Sequence, residues 1–269
     1  MVGEMTYEHN GAGALDYLVC NYGQQRLHFR GPERSLTQPY AVFIGSTETY
    51  GKFVARPFPA LVEDMIGLTS VNLGVTNAGV ETFRSDPAVL EIARKAEYVV
   101  LQAMGPQFVS NGFYSVHPRR NDRFIRATAA LRQLYPSLDF TQFHFVGHLL
   151  GQLKRGSRRN YEKVAAECRR AWLTSMVTLI RRIDRPTLVL WMPQTRADPL
   201  LNDRLLQPIQ KRCVQVVEAP LSNDGSDDRT AGMVFAPMEA FAARDLPNPL
   251  MHAAIAQKVA QAARSNGLA

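Results

Sequence analysis

The sequence predicts an α/β fold built on a central parallel sheet with helices packed against it. Three short apolar segments, 41–44, 70–73 and 98–103, are each followed within two residues by glycine. Between them, apolar residues recur with helical spacing at 60–66 and 87–96. Strands that alternate with helices at such short spacing are typical of parallel sheets. The composition, 46% hydrophobic and 20% charged over 269 residues, is that of a globular chain.

Residues 1–269 are interpreted as one α/β domain, in which residues 1–40 form a lead-in to the first strand. Gly67 ends the first predicted helix, because glycine is common just after a helix. Pro87 begins the second, where its missing N–H costs no hydrogen bond.

The second half of the chain is predicted to hold an insertion over 105–160, followed by the remaining layers of the fold. Within the insertion we predict a helix at 122–135, a strand at 140–146 and a loop at 151–160. The later elements are, in order, a long helix at 161–183, strands at 187–191 and 213–217, and a final helix at 249–263.

Two hydroxyls and a carboxylate directly follow the first predicted strand. Ser46, Thr47 and Glu48 come immediately after Gly45. In open α/β sheets, ligands bind outside the carboxyl ends of the strands. We therefore expect a site at this edge of the sheet, with the turns at Gly45, Gly74 and Gly105 side by side.

Four short blocks follow one another along the chain: GSTETYG at 45–51, NLGV at 72–75, GPQ at 105–107 and DLPNP at 245–249. In this order they resemble the blocks of the SGNH (GDSL-like) hydrolases. The resemblance covers most of the chain and implies an SGNH/flavodoxin-like three-layer sandwich with a central parallel sheet. The chain is also similar to a bacterial family without known activity that carries the phrases TETYG and VHPRRNDRF.

The blocks depart from the SGNH pattern at the positions that carry its chemistry. Thr47 stands at the position of the nucleophilic serine and Ser46 at that of the preceding aspartate. Gln107 replaces the asparagine of the oxyanion hole, and Asn248 replaces the catalytic histidine. The triad of the family is therefore absent in register.

The leading hypothesis is an esterase or acyltransferase with a rearranged site and neither metal nor organic cofactor. A hydroxyl needs a neighbouring base to become a good nucleophile, and a third group orients that base. The residues assigned are Ser46 or Thr47 as nucleophile, His252 as base, Asp245 as its orienting partner, and Gly74, Asn77 and Gln107 as the oxyanion hole. The alternative is an inactive binding protein for an anionic ligand or polysaccharide, in which Ser46 and Thr47 are turn or N-cap residues.

An arginine-rich segment predicts that the substrate carries an anionic group, and the resemblance to the SGNH hydrolases implies that it bears a carbohydrate. Arg119, Arg120 and Arg123 accompany His117 just before a predicted helix N-terminus, and both features favour anions. Glu48 and Asn111 complete the predicted substrate-binding set. The alternative is a set of structural ion pairs, with Asp122 among the partners.

The charge distribution and the absence of targeting signals predict a cytoplasmic protein. The stretch 151–185 holds ten Lys or Arg and three acids, and the difference of seven equals the net charge of the whole chain, +7. A solvated helix face is favoured over nucleic-acid binding, because no recognition module accompanies the charge. No apolar run is long enough to span a membrane, and the three cysteines form no metal-binding pattern. His144 and His148 are interpreted as structural, and a homo-oligomer is left open.

Overall fold

Five parallel strands form the central sheet of the computed structural model, which describes residues 15–23, 27–193, 200–221 and 228–269. In chain order the strands are β1 (Tyr40–Gly45), β2 (Thr69–Gly74), β3 (Tyr98–Gln102), the antiparallel pair β4 (Tyr114–Val116) and β5 (Phe124–Ala127), β6 (Thr187–Trp191) and β7 (Gln215–Glu218). The sheet order is β2-β1-β3-β6-β7, and every pair in it is parallel. The predicted parallel sheet is confirmed.

Ten α-helices connect and cover these strands within the described residues. They are α1 (Thr47–Tyr50), α2 (Phe58–Ile66), α3 (Val80–Arg84), α4 (Pro87–Lys95), α5 (Ala129–Leu134), α6 (Val146–Gly156), α7 (Arg158–Ile183), α8 (Asp203–Gln210), α9 (Ala240–Ala243) and α10 (Pro249–Ser265). Short 3-10 turns lie at Pro106–Phe108, Phe140–Gln142 and Pro237–Glu239. No helix in the described ranges combines the length and apolar composition needed to cross a membrane.

The sheet has a hydrophobic core on each face, because successive strand side chains point to opposite sides. Val42 and Ile44 of β1 pack with α3, α4, α7 and α8 on one face. Ala41 and Phe43 pack with α2 and α10 on the other. This arrangement of helices on both faces of a parallel sheet is the predicted three-layer α/β sandwich.

Two glycines let α1 begin immediately at the carboxyl edge of the sheet. Gly45 and Gly74 are partners in the β1–β2 register. A Cβ atom at Gly45 would collide with Thr49 and the side chain of Gln102, and one at Gly74 would collide with the backbone of Tyr50. The absence of these side chains allows α1 to lie directly against both strand ends, as the predicted neighbouring turns require.

The helix predicted at 122–135 forms only over Ala129–Leu134, and the prediction of a strand at 140–146 was wrong. The segment predicted as a helix from 122 forms β5, and only then α5, whose N-cap Thr128 accepts a hydrogen bond from the N–H of Leu131 at 3.4 Å. The hairpin partner β4 supplies hydrogen bonds that local helical spacing does not reveal. The predicted strand at 140–146 is a 3-10 turn followed by the start of α6.

The predicted loop at 151–160 is also wrong, since α6 continues to Gly156 and α7 begins at Arg158. Between them, the hydroxyl of Ser157 accepts a hydrogen bond from the N–H of Asn160 at 3.3 Å and caps α7. The basic residues of this segment lie on the exposed sides of α6 and α7, and the apolar residues of both helices are buried. The many charged residues made the composition of the segment resemble that of a loop. These elements share a third apolar cluster with the first half of α7.

The lead-in segment secures the chain just after α1. Arg30 is buried, and its guanidinium donates hydrogen bonds to the carbonyls of Gly51 at 2.6 Å and Ala55 at 2.7 Å. The same guanidinium lies over the ring of Tyr17, 5.1 Å from its centroid. Arg30 thereby fixes the turn that returns from the candidate site to α2.

Candidate functional site

A cavity of about 870 Å³ opens where the carboxyl ends of β1, β3 and β6 meet. This edge lies at the point where the sheet order reverses, which is the usual ligand position in doubly wound folds. Its polar lining residues are Ser46, Thr47, Glu48, Asn77, Gln102, Gln107, Asp122, Asn202 and Asp245, and its larger apolar ones include Phe108, Trp191, Met192 and Leu246.

Gln102 holds the start of α1 in place. Its buried Oε1 accepts hydrogen bonds from the N–H of Ser46 at 2.8 Å and from the hydroxyl of Thr49 at 2.7 Å. Its Nε2 donates to Oε2 of Glu48 at 2.9 Å. One amide therefore satisfies three polar groups and fixes the direction in which Glu48 points.

The two candidate hydroxyls have different surroundings. Oγ1 of Thr47 accepts a hydrogen bond from the N–H of Asn77 at 2.9 Å and donates to Oδ1 of that residue at 3.5 Å. Asn77 has a φ of 59°, in the left-handed region that asparagine tolerates. Ser46 occupies the N-cap position of α1, but its hydroxyl makes no capping bond. The two hydroxyls therefore differ: that of Thr47 is hydrogen-bonded to Asn77, whereas that of Ser46 makes no hydrogen bond to cap the helix.

Three carboxylates, Glu48, Asp122 and Asp245, line the cavity. Burial raises the pKa of Asp122, although the positive charges of Arg123 and Arg120 oppose the shift. Its Oδ1 is buried and has no hydrogen-bond partner among the described residues. Asp122 therefore places at the cavity a buried acceptor atom without a partner among the described residues, on a carboxyl group whose pKa burial raises.

His252 is not brought to this cavity. It is fully buried between α10 and α2, where its Nδ1 accepts a hydrogen bond from the N–H of Phe58 at 3.0 Å and its ring stacks on Phe58. Burial lowers its pKa to about 3, with a smaller contribution from the charge of Arg30. The predicted base is thus a neutral side chain of the core. Asp245 lines the cavity without it.

The predicted oxyanion hole is only partly assembled. Asn77 and Gln107 both line the cavity, whereas the N–H of Gly74 is occupied by Oδ1 of Asn72 at 2.9 Å. Asn248, at the position of the family histidine, is buried and caps α10 by accepting from the N–H of Met251 at 3.0 Å. The N–H of Gly74 and the side chain of Asn248 are thus both engaged in hydrogen bonds within the fold.

The predicted anion-binding residues lie outside the cavity lining. Nδ1 of His117 accepts from the N–H groups of Arg119 at 3.2 Å and Arg120 at 3.1 Å, which shapes the turn between β4 and β5. Arg123 lies over the ring of Phe145. Among the described residues none of the three arginines forms an ion pair, so the alternative of structural ion pairs with Asp122 is not observed.

Asn111 likewise lies outside the cavity lining. Its Oδ1 accepts hydrogen bonds from the N–H groups of Phe113 at 2.9 Å and Tyr114 at 3.2 Å. It therefore stabilises the turn that leads into β4.

A family model described as Domain of unknown function (DUF6473) matches residues 5–266. The chain belongs to the DUF6473 family. No curated protein matches it significantly. Across the parts that the structure describes, no group of three His, Cys, Asp or Glu residues is arranged to hold a metal ion.

Two solved structures are similar to the DUF6473 chain at low identity. One, named as a lipolytic protein of the G-D-S-L family from Desulfitobacterium hafniense DCB-2, is 11% identical with a TM-score of 0.43, over 84% of this chain and 99% of that one. The other, the salicylyl-acyltransferase SsfX3 from a tetracycline biosynthetic pathway, is 11% identical with a TM-score of 0.39, over 87% of this chain and 57% of that one.

Sequence reasoning missed three residues that shape the site of this DUF6473 protein. Oδ1 of Asn121 accepts from the N–H of Gly79 at 2.6 Å and the hydroxyl of Thr82 at 2.8 Å, and so anchors the β4–β5 turn that carries Asp122. The other two are Gln102 and Trp191. Gln102 could have been identified from the sequence, because it is a glutamine that ends an otherwise apolar strand, YVVLQ.

Proposed function

We propose that the DUF6473 protein binds a neutral, polyhydroxylated ligand of the carbohydrate class in the cavity at the carboxyl ends of β1, β3 and β6. The observation that carries this proposal is the chemistry of the lining. Amides, hydroxyls and carboxylates line the cavity together with the aromatic side chains of Phe108 and Trp191, and no cation or imidazole is among the described lining residues.

The carboxylates favour a neutral ligand over the anionic substrate predicted from the arginine cluster. Glu48, Asp122 and Asp245 would repel a negatively charged group. Transfer of an anion into this cavity would also cost its hydration, and none of the described lining residues is a cation that could compensate. The arginines that motivated the earlier expectation lie outside the cavity lining.

The polar groups suit a sugar, because vicinal hydroxyls both donate and accept hydrogen bonds. A carboxylate accepts from them, whereas the amides of Asn77 and Gln107 can donate or accept. An aromatic ring supplies an apolar surface for the C–H face of a sugar, and a cavity of this size suits a small ligand. Oε1 of Gln107 and Oδ1 of Asp122 are buried acceptors without partners among the described residues.

Tryptophan fluorescence tests this proposal directly. The sequence has two tryptophans, and Trp172 is fully buried with its Nε1 donating to the carbonyl of Met104 at 2.6 Å. We expect neutral disaccharides to shift the emission of Trp191. Titration calorimetry of Trp191→Ala, which lacks this reporter, should show binding weakened at least about tenfold, or by about 1.4 kcal/mol.

Trp172→Phe serves as the control for signal, since Trp191 alone then reports. Oligosaccharides of uronic acids should bind more weakly than neutral ones of the same length. Tighter binding of the acidic sugars, or no shift with any neutral sugar in a broad panel, would contradict the proposal.

A second candidate is acyl transfer by Ser46 with Asp122 as base, on an O-acylated sugar in the same cavity. The observation that favours it is that Ser46 and Asp122 line the same cavity, where burial raises the pKa of Asp122 and so its strength as a base. Oγ of Ser46 would attack the acyl carbonyl while its proton passes to Asp122. The departing sugar hydroxyl would regain that proton, and water would then release the acid by the same steps.

Covalent labelling separates this second candidate from binding alone. A fluorophosphonate should label the wild type and Thr47→Ala but not Ser46→Ala, and Asp122→Asn should slow turnover of a small activated ester by about 100-fold or more. Absence of labelling and of turnover in the wild type would eliminate acyl transfer while leaving the sugar-binding test unaffected.

A further inference from the structure

A second cleft, of about 560 Å³, lies at the opposite end of the sheet from the candidate site. It is formed by the end of α7, the residues that lead into β6, and the end of α8. Because β6 has five residues, roughly 15 Å of strand separates this cleft from the carboxyl-edge cavity. The cleft is independent of the proposed function.

Four cationic side chains line this cleft: Arg181, Arg185, Lys211 and Arg212. None of them takes part in an ion pair within the described part of the chain. Asp184 is the one carboxylate among the described lining residues. The cleft therefore carries an excess of positive charge that no ion pair with another described residue compensates.

Hydrogen bonds to backbone carbonyls fix part of this basic surface. Nε of Arg185 donates to the carbonyl of Arg94 at 2.5 Å, and Nε of Arg94 donates to the carbonyl of Arg182 at 2.9 Å. Nη1 of Arg182 donates in turn to the carbonyl of Arg84 at 2.7 Å. These bonds hold cations side by side against their mutual repulsion, and neither terminal nitrogen of Arg185 makes such a bond to a described residue.

The two walls of the cleft are held together by the hydrophobic core. Ile180 and Ile183 of α7 belong to the same buried cluster as Leu206 and Ile209 of α8. The cationic side chains therefore project from a supported scaffold, which reduces the ordering cost of binding at least for the backbone.

We propose that this cleft binds a multivalent phosphate or sulfate anion, such as an oligophosphate group. Guanidinium groups match phosphate and sulfate oxygens with paired hydrogen bonds, and Lys211 adds a point charge. Four cations against one carboxylate exceed what a single monovalent anion needs. No aromatic side chain is among the described lining residues, so the cleft offers no stacking surface for a nucleobase.

Cations near a helix C-terminus also stabilise the helix dipole, and this role applies to Arg181 and Lys211. It does not account for the convergence of two helix ends on one concave surface. Nor does it explain why Arg185 and Arg212, beyond the helix ends, face the same cleft. Anion binding accounts for all four.

Titration calorimetry with inorganic tripolyphosphate tests the proposal on the full chain. Lys211→Gln combined with Arg212→Gln should weaken binding at least tenfold, and the affinity should fall as salt is raised. The matched control is Arg158→Gln with Arg159→Gln, which removes two exposed charges at the far end of α7 and should change binding less than twofold.

Asp184→Asn provides a variant in the opposite direction. Asp184 has a φ of 51°, which asparagine also tolerates, so the helix end should be preserved. Removal of the only described carboxylate of the cleft should tighten tripolyphosphate binding severalfold.

The source of the anion is distinguished by a parallel arm with vesicles that contain a phosphoinositide. Vesicle binding that is lost in Lys211→Gln/Arg212→Gln would identify a lipid headgroup, whereas tripolyphosphate binding alone would identify a soluble anion. Equal weakening by the cleft variant and the control variant, or no binding of either probe, would overturn the proposal.

Discussion

Replacing Gln102 with Leu should destabilise the protein by about 2–4 kcal/mol and abolish ligand binding at the carboxyl-edge cavity. The substitution leaves the N–H of Ser46, the hydroxyl of Thr49 and Oε2 of Glu48 without the partner that now satisfies all three. Buried polar groups that lose a partner are costly, and the start of α1 would lose its anchor to β3. Urea denaturation and the Trp191 fluorescence titration measure the two effects.

An exchange of amide and carboxylate tests whether the network itself is responsible. Gln102→Glu alone places a second carboxylate against Glu48 and should destabilise the protein near neutral pH. Adding Glu48→Gln restores one amide and one carboxylate in reversed positions, and should recover part of the lost stability. Because glutamine and glutamate have nearly the same volume, no recovery in the double variant would contradict the hydrogen-bonded coupling of Gln102 to Glu48.

The parallel sheet could be predicted because its strands are short apolar runs with both faces buried. Such strands carry their signal locally, in segments like 98–103, and the glycine turns mark where they end. The β4–β5 hairpin could not be predicted in this way. Its strands have three and four residues, and its turn depends on Asn121, whose side chain accepts a hydrogen bond from the N–H of Gly79, far along the chain.

The location of the candidate site could be predicted, but the geometry of its side chains could not. Ser46, Thr47 and Glu48 follow β1, so the strand end alone placed them at the carboxyl edge. Which side of α10 faces the core could not be predicted from the strand ends, and this decides whether His252 reaches the cavity. His252 lies in register with Ile255 and Val259, in the stripe that α10 buries, and this spacing was the available signal that it faces the core.

Stability should fall between pH 7 and pH 5 by about 2 kcal/mol through His252 alone. The folded-state pKa is about 3, against an ordinary value of 6.5, because burial disfavours the charged imidazole. Above pH 6.5 the ring is neutral in both states and contributes no dependence. Below pH 6.5, His252 becomes protonated in the unfolded chain but stays neutral in the folded protein. Stability is therefore lost progressively as the pH falls towards about 3.

The variant His252→Gln isolates this contribution, since the other titrating groups are shared with the wild type. At pH 7 the variant should be less stable than the wild type by about 1–3 kcal/mol, because the ring stacking on Phe58 is lost and the backbone N–H of Phe58 needs a new acceptor. The gap should shrink by about 2 kcal/mol at pH 5 in urea titrations, because only the wild type has a histidine to protonate. A gap that stays constant would mean that His252 is not held neutral.

The same variant decides whether His252 acts in chemistry. A general base must exchange protons near the working pH, and a ring that titrates near 3 with Nδ1 committed to Phe58 does not. We therefore expect His252→Gln to lower stability while leaving sugar affinity and any esterase rate of the remaining folded protein within about twofold. A selective loss of turnover at unchanged ligand affinity would instead return His252 to the role that its place in the sequence first suggested.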